Sequence, residues 1–100
     1  MKPPTNAPIY FGLYKDLAEI TRKYGYALAA HGSGARDMDL VAIPWTDEAQ
    51  DFQLAIDEIV ETLCIVVVGN WTEKPHGRRA INLNLMGDCY FDISVMPRIS

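Results

Sequence analysis

Three aspartates stand where a strand pattern would place them on a single surface. Asp37 and Asp39 are two apart in the run Asp37-Met-Asp-Leu-Val-Ala-Ile43, which alternates as a strand does. Asp37, Asp39, Val41 and Ile43 share one face, and Met38, Leu40 and Ala42 share the other. Asp92 lies between Phe91 and Ile93 in a second strand-like run, a setting that disfavours Asp by propensity. Parallel carboxylates repel unless a cation or a shared proton compensates. Three oxygen ligands on rigid strands suit Mg²⁺ or Mn²⁺, which complete an octahedron with water and phosphate oxygens. Taken alone, Asp37 and Asp39 fit a solvated strand edge better than a site; the third acid and the turn beside them favour a site.

That turn is Gly32-Ser33, where an apolar run ends. A glycine-flanked turn offers backbone N–H groups and a hydroxyl to phosphate, although glycine also serves a tight turn with no ligand. A second polar segment, Gly69 to Arg79, reads as a loop carrying Lys74, His76, Arg78 and Arg79. These supply positive charge for phosphate or simply a solvated surface.

The elements that must hold these residues follow from periodicity. Residues 1–8 form a Pro-rich lead-in, with Asn6 a candidate helix cap. Leu13, Leu17, Ile20 and Tyr24 make one helical stripe, and Gly25 stops it. Tyr26 to Ala30 predicts a buried strand, and Pro44-Trp45 ends the aspartate strand. Asp47, with Gln50 completing a capping box, predicts the start of a second helix, whose apolar side is Phe52, Ile56, Ile59, Val60 and Leu63. Cys64 to Val68 predicts a strand buried on both faces. Ala80–Met86 and Tyr90–Met96 form a final pair. A three-residue loop, Gly87 to Cys89, sets Asn84 opposite Asp92 and gathers Asn82, Asn84, Tyr90, Asp92 and Ser94 on one face. The prediction is a single α+β domain over residues 1–100, in the order αββαβββ, with two helices packed on one face of a five-stranded mixed sheet.

Composition bounds the rest. With 49% apolar residues in a 100-residue chain, one ordered domain is expected, and disorder is not. No apolar run approaches a membrane span, the start lacks a signal-peptide core, and Cys64 and Cys89 read as buried thiols. A cytoplasmic location follows as the expectation. Six of the thirteen acids lie between Asp47 and Glu61, so the formal charge of −4 is local and the remainder carries a slight positive excess. Nucleic acid is not indicated as a partner; a homodimer is compatible with so apolar a chain.

Taken together, Ala29-Ala-His-Gly-Ser33, Asp37-Met-Asp-Leu40 and Phe91-Asp-Ile93 resemble the nucleotidyltransferase superfamily, the DNA polymerase β-like fold. The likeness in element order covers roughly Tyr10 to Met96. His31-Gly-Ser, Arg36-Asp-Met-Asp-Leu and Ile43-Pro-Trp also look like small nucleotidyltransferase-like proteins of phages and prophages, which would place the chain in a bacterial host cell. The resemblance implies that Gly32 and Ser33 take phosphate, with Arg78 and Arg79 adding charge. It implies that Asp37, Asp39 and Asp92 ligate Mg²⁺ or Mn²⁺ and serve as the catalytic carboxylates. The ligand would be a nucleotide or another phosphate-bearing small molecule, and any reaction nucleotidyl or phosphoryl transfer to a hydroxyl. Only Gly34-Ala35-Arg36 separate the Gly-Ser turn from the aspartates, so no helix N-terminus intervenes to bind phosphate, and the chain carries no second domain to grip base and acceptor. The alternative is a catalytically inactive phage or prophage interaction module that retains the fold, with the acidic helix or a strand edge as contact surface.

Overall fold

The stripe over Leu13, Leu17, Ile20 and Tyr24 becomes helix α1 (Ala7–Lys23) and its exit in the computed structural model, which describes residues 7–31 and 37–97. Tyr10, Leu17, Ile20 and Thr21 are buried, and Leu13 and Tyr24 half-buried. The Asn6 cap lies outside the described residues. Gly25 ends the element with φ +92°, and a Cβ there would sit 2.7 Å from the Ala49 Cα. Only glycine meets both the left-handed backbone and that close approach.

Helix α2 (Phe52–Leu63) begins later than Asp47. The physical reason is tertiary. The Gln50 amide donates to the Tyr24 carbonyl at 2.9 Å and the Trp45 amide to the Gly25 carbonyl at 3.0 Å. Residues 45–50 are thereby tied to the end of α1 and cannot coil. Asp51 is the cap instead, its carboxylate accepting from the Gln53 amide at 3.0 Å. Phe52, Ala55, Ile56 and Ile59 are buried, with Val60 and Leu63 half-buried beside them. The helices are clasped by the ion pair of Lys23 with Glu58 and by the Tyr24 hydroxyl, which donates to Glu58 Oε1 at 2.7 Å.

Five strands complete the fold: β1 (Tyr26–His31), β2 (Asp37–Pro44), β3 (Val66–Glu73), β4 (Arg79–Met86) and β5 (Cys89–Val95). Their order in the sheet is β1-β2-β5-β4-β3. The β2–β5 pair is parallel and the others antiparallel, so the sheet is mixed. Tyr26, Leu28, Met38, Leu40, Ala42, Ile81, Leu83, Phe91, Ile93 and Val95 are buried in one cluster with both helices. The helices therefore cover a single face, as expected for this α+β class. Among the described residues, nothing packs over the other face, the open face of the sheet. Among the described residues, no helix is long and apolar enough to cross a membrane.

Three local expectations are corrected. Cys64 is not a buried strand residue; it caps α2 in the left-handed conformation (φ 56°, ψ 38°) and its thiol is exposed, whereas Cys89 is buried. The valine run is not buried on both faces: Val66 is 60% and Val68 43% exposed, because they pair with Asn84 and Asn82 on the open side of the sheet, whereas Val67 pairs with buried Leu83 and packs on the core. At the sheet's β1 edge, Ala27, Ala29 and Ala30 are likewise exposed. The segment 69–79 is an arm of the β3–β4 hairpin rather than a loop; β3 runs to Glu73, and a 3₁₀ turn (Pro75–Gly77) leads into β4.

The β4–β5 register also differs. Met86 pairs with Cys89 across a two-residue turn, and a shift at Leu85 then sets Asn84 opposite Tyr90 and Asn82 opposite Asp92. An irregularity that adds one residue to β4 restores the sidedness that a plain two-residue loop would destroy. The expected faces hold: Asn82, Asn84, Tyr90, Asp92 and Ser94 stand on the open side, although Asn84 does not oppose Asp92.

Candidate functional site

Burial of Met38 and Leu40 turns the alternate residues Asp37 and Asp39 to the open face, and burial of Phe91 and Ile93 does the same for Asp92. The parallel ladder then makes Asp39 and Asp92 direct partners across β2 and β5. Neighbouring strands lie about 4.8 Å apart, so the two half-buried carboxylates stand side by side. Asp37 is one step further along, exposed and opposite Tyr90.

The backbone row continues in both directions, with His31 paired to Asp39 and Asn82 to Asp92, so His31, Asp39, Asp92 and Asn82 occupy successive positions across four strands. Asn84 is employed otherwise: its amide donates to the Gly87 and Cys89 carbonyls at 3.1 and 3.2 Å, bracing the β4–β5 turn. The start of β5 is fixed from the helix side, where the Tyr90 amide donates to the Tyr10 hydroxyl at 2.8 Å.

Among the described residues, no group of three or more His, Cys, Asp or Glu is arranged to hold a metal ion. The expected three-carboxylate set is thus not gathered: the sheet brings Asp39 and Asp92 together and leaves Asp37 a step away. The pair still fits Mg²⁺ or Mn²⁺, since Mg²⁺ commonly takes one or two carboxylates and fills its shell with water and phosphate oxygens.

Gly32, Ser33 and Arg36 lie outside the described residues. The cationic candidates stand elsewhere. Arg79 opposes Val95, at the far end of the β4–β5 ladder from Tyr90, and its guanidinium lies 4.7 Å from the centre of the Trp71 ring. Trp71 in turn donates its indole N–H to Gln53 Oε1 at 2.8 Å. Arg78 donates to the Pro75 carbonyl at 3.4 Å, and Lys74 and His76 occupy the same hairpin tip, where His76 has φ 67°. None of the four is set beside the carboxylate pair. Sheet sidedness explains Arg79: its odd-numbered place on β4 is in phase with Ile81 and Leu83, which face the helices.

Sequence reasoning missed a hollow of about 520 Å³ at the lower end of β2, lined by Val41, Ile43, Trp45, Asp47, Met96 and Pro97. A signal was available. Val41 and Ile43 are in phase with the aspartates, so the open side of β2 turns from acidic to apolar within one strand. Ile43 is 44% and Trp45 61% exposed.

Compared with family models, with curated proteins and with solved structures, the chain finds no match.

Proposed function

We propose that the open sheet face binds a divalent cation, Mg²⁺ or Mn²⁺, and through it a nucleotide or another phosphate-bearing small molecule. Its support is one observation: Asp39 and Asp92 share a rung of the β2–β5 ladder, half-buried, on the same face. Like charges directly opposite one another destabilise a sheet, and a shared cation reverses the sign. By the resemblance, Gly32-Ser33 would supply the phosphate contact. A bound cation would neutralise charge on a transferring phosphoryl group. The chain's own part in turnover would be to orient phosphate with the Gly-Ser turn and to take the acceptor's proton on Asp92. The reaction class that fits, by likeness to nucleotidyltransferases, is transfer to a hydroxyl.

A non-catalytic interaction module of phage or prophage origin is the rival. The edge position of β3 favours it, because an unpaired edge is a template for an added strand, and Val66 and Val68 offer apolar side chains beside that edge on the open face.

The test is thermal unfolding across a Mn²⁺ titration. Cation binding to the folded state alone stabilises by about 2.7 kcal/mol at a hundred times Kd. The wild type should gain stability, and the Asp39→Asn/Asp92→Asn protein should not. Equal gains in both proteins, or none in either at millimolar Mn²⁺, would remove the cation site and leave the interaction module.

A further inference from the structure

The apolar hollow and the carboxylate pair lie on one face and share one pair of strands. From the Asp39–Asp92 rung, the β2–β5 ladder passes through Val41–Ser94 and ends where the Met96 amide donates to the Ala42 carbonyl at 2.9 Å. Met96 and Pro97 then join Val41, Ile43 and Trp45 around the hollow. Ile43 is four residues beyond Asp39 on β2, about 13 Å along an extended strand. A nucleoside polyphosphate bridges such a span, with phosphates at one end and an aromatic base at the other.

We infer that this hollow is a nucleobase seat, the second half of a nucleotide site whose phosphate end is the cation pair. This presupposes the cation and phosphate binding proposed above for the same face. Three features carry it. The volume, about 520 Å³, falls among those of small-molecule sites, roughly 300–1,000 Å³. The lining has the required chemistry: an apolar floor from Val41 and Ile43, and in Trp45 an indole left 61% exposed and able to stack on a base. Thr46 and Asp47 line the same hollow, and the Asp47 carboxylate can only accept, which favours an amino-bearing base over uracil. Trp71, the chain's other tryptophan, has no such freedom, being bonded to Gln53 and covered by Arg79.

Two measurements separate the seat from the cation site. Trp71→Phe leaves Trp45 as the sole indole reporter. Adenosine alone, without metal, should quench its fluorescence, and should do so more strongly than uridine. The quench should persist in an Asp39→Asn/Asp92→Asn background, because it does not need the cation. By calorimetry on the otherwise unaltered chain with Mn²⁺, a non-hydrolysable adenosine triphosphate analogue should bind about tenfold tighter than tripolyphosphate. Trp45→Ala should bring that ratio near one while leaving Mn²⁺ affinity unchanged. Failure of Mn²⁺ to bind, with the adenosine quench intact, would sink the cation proposal and leave the seat standing. No quench by adenosine, or a nucleotide preference that survives Trp45→Ala, would overturn the seat itself.

Discussion

The buried hydroxyl of Tyr10, on the first helix, accepts a hydrogen bond from the backbone amide of Tyr90 at 2.8 Å. That contact ties α1 to the start of β5, two residues before Asp92. The Tyr10 ring also meets Phe91 edge-on, with centroids 5.2 Å apart. Tyr10→Phe keeps the ring and strands the Tyr90 amide. It should lower stability by about 1–2 kcal/mol in urea unfolding. It should also speed hydrogen exchange at the Tyr90 amide more than at Ile93, which lies deeper in the ladder.

Removing one charge from the Asp39–Asp92 rung should help the fold when no cation is present. In chelator, Asp39→Asn should raise the unfolding free energy by up to about 1 kcal/mol, the scale of a like-charge cross-strand pair. The gain should narrow as salt is added, since part of the repulsion is reached by solvent. A loss of stability in chelator would show that the rung is not repulsive and would weaken the case for a cation there.

The helix clasp sets a pH window. Donation from Lys23, and then from the Tyr24 hydroxyl, holds the Glu58 carboxyl below its usual range. The same bonds to Glu58 raise Lys23 and Tyr24 above theirs. The Glu58 contribution is therefore complete above the ordinary carboxylate range and is lost as pH falls through its depressed value. The Lys23 and Tyr24 contributions are complete below their ordinary values and vanish as pH rises through the raised ones. Glu58→Gln should flatten the stability profile at both ends, read from unfolding free energies across pH. The side chains are solvent-accessible, so the effect should be small and should shrink with salt.

Cys64 holds a left-handed backbone that suits glycine at the end of α2. Cys64→Gly should stabilise by roughly 0.5 kcal/mol, because relief of the Cβ conflict exceeds the added freedom of the unfolded chain. Cys64→Val should destabilise instead, since a branched side chain tolerates that conformation least. Thermal melts of the two variants make the comparison.

Which face each aspartate takes was legible because Met38, Leu40, Phe91 and Ile93 alternate with them, and burial of those four decides the rest. That Asp39 and Asp92 share a rung was not legible. Local alternation assigns a face but not a neighbour, and these two strands lie more than half the chain apart in sequence. The irregularity at Leu85 was hidden for a related reason: Leu83 and Leu85 are both apolar, so neither signals the extra residue. The start of α2 was expected at Asp47; the bond from Gln50 to Tyr24 holds that segment out of the helix, a tertiary contact that local pattern does not reveal, and Asp51 caps instead. Val66 to Val68 read as core because an unbroken valine run does not reveal that helices cover only one face of its strand. The hollow beside Trp45 was not legible: Val41 and Ile43 were seen to share the aspartates' face, but that pattern becomes a hollow only once Met96 and Pro97 fold against it.

Among the described strands, β5 is the last in sequence and lies in the middle of the sheet. During synthesis, β1–β2 and β3–β4 can each pair as they emerge, but neither half can join the other until residues 89–95 arrive. Until that moment both halves expose a bare inner edge to whatever nascent chain is nearby. A stalled or truncated product ending before Cys89 would therefore be sticky rather than merely inactive, and it would lack one of the two acids on which cation recognition depends.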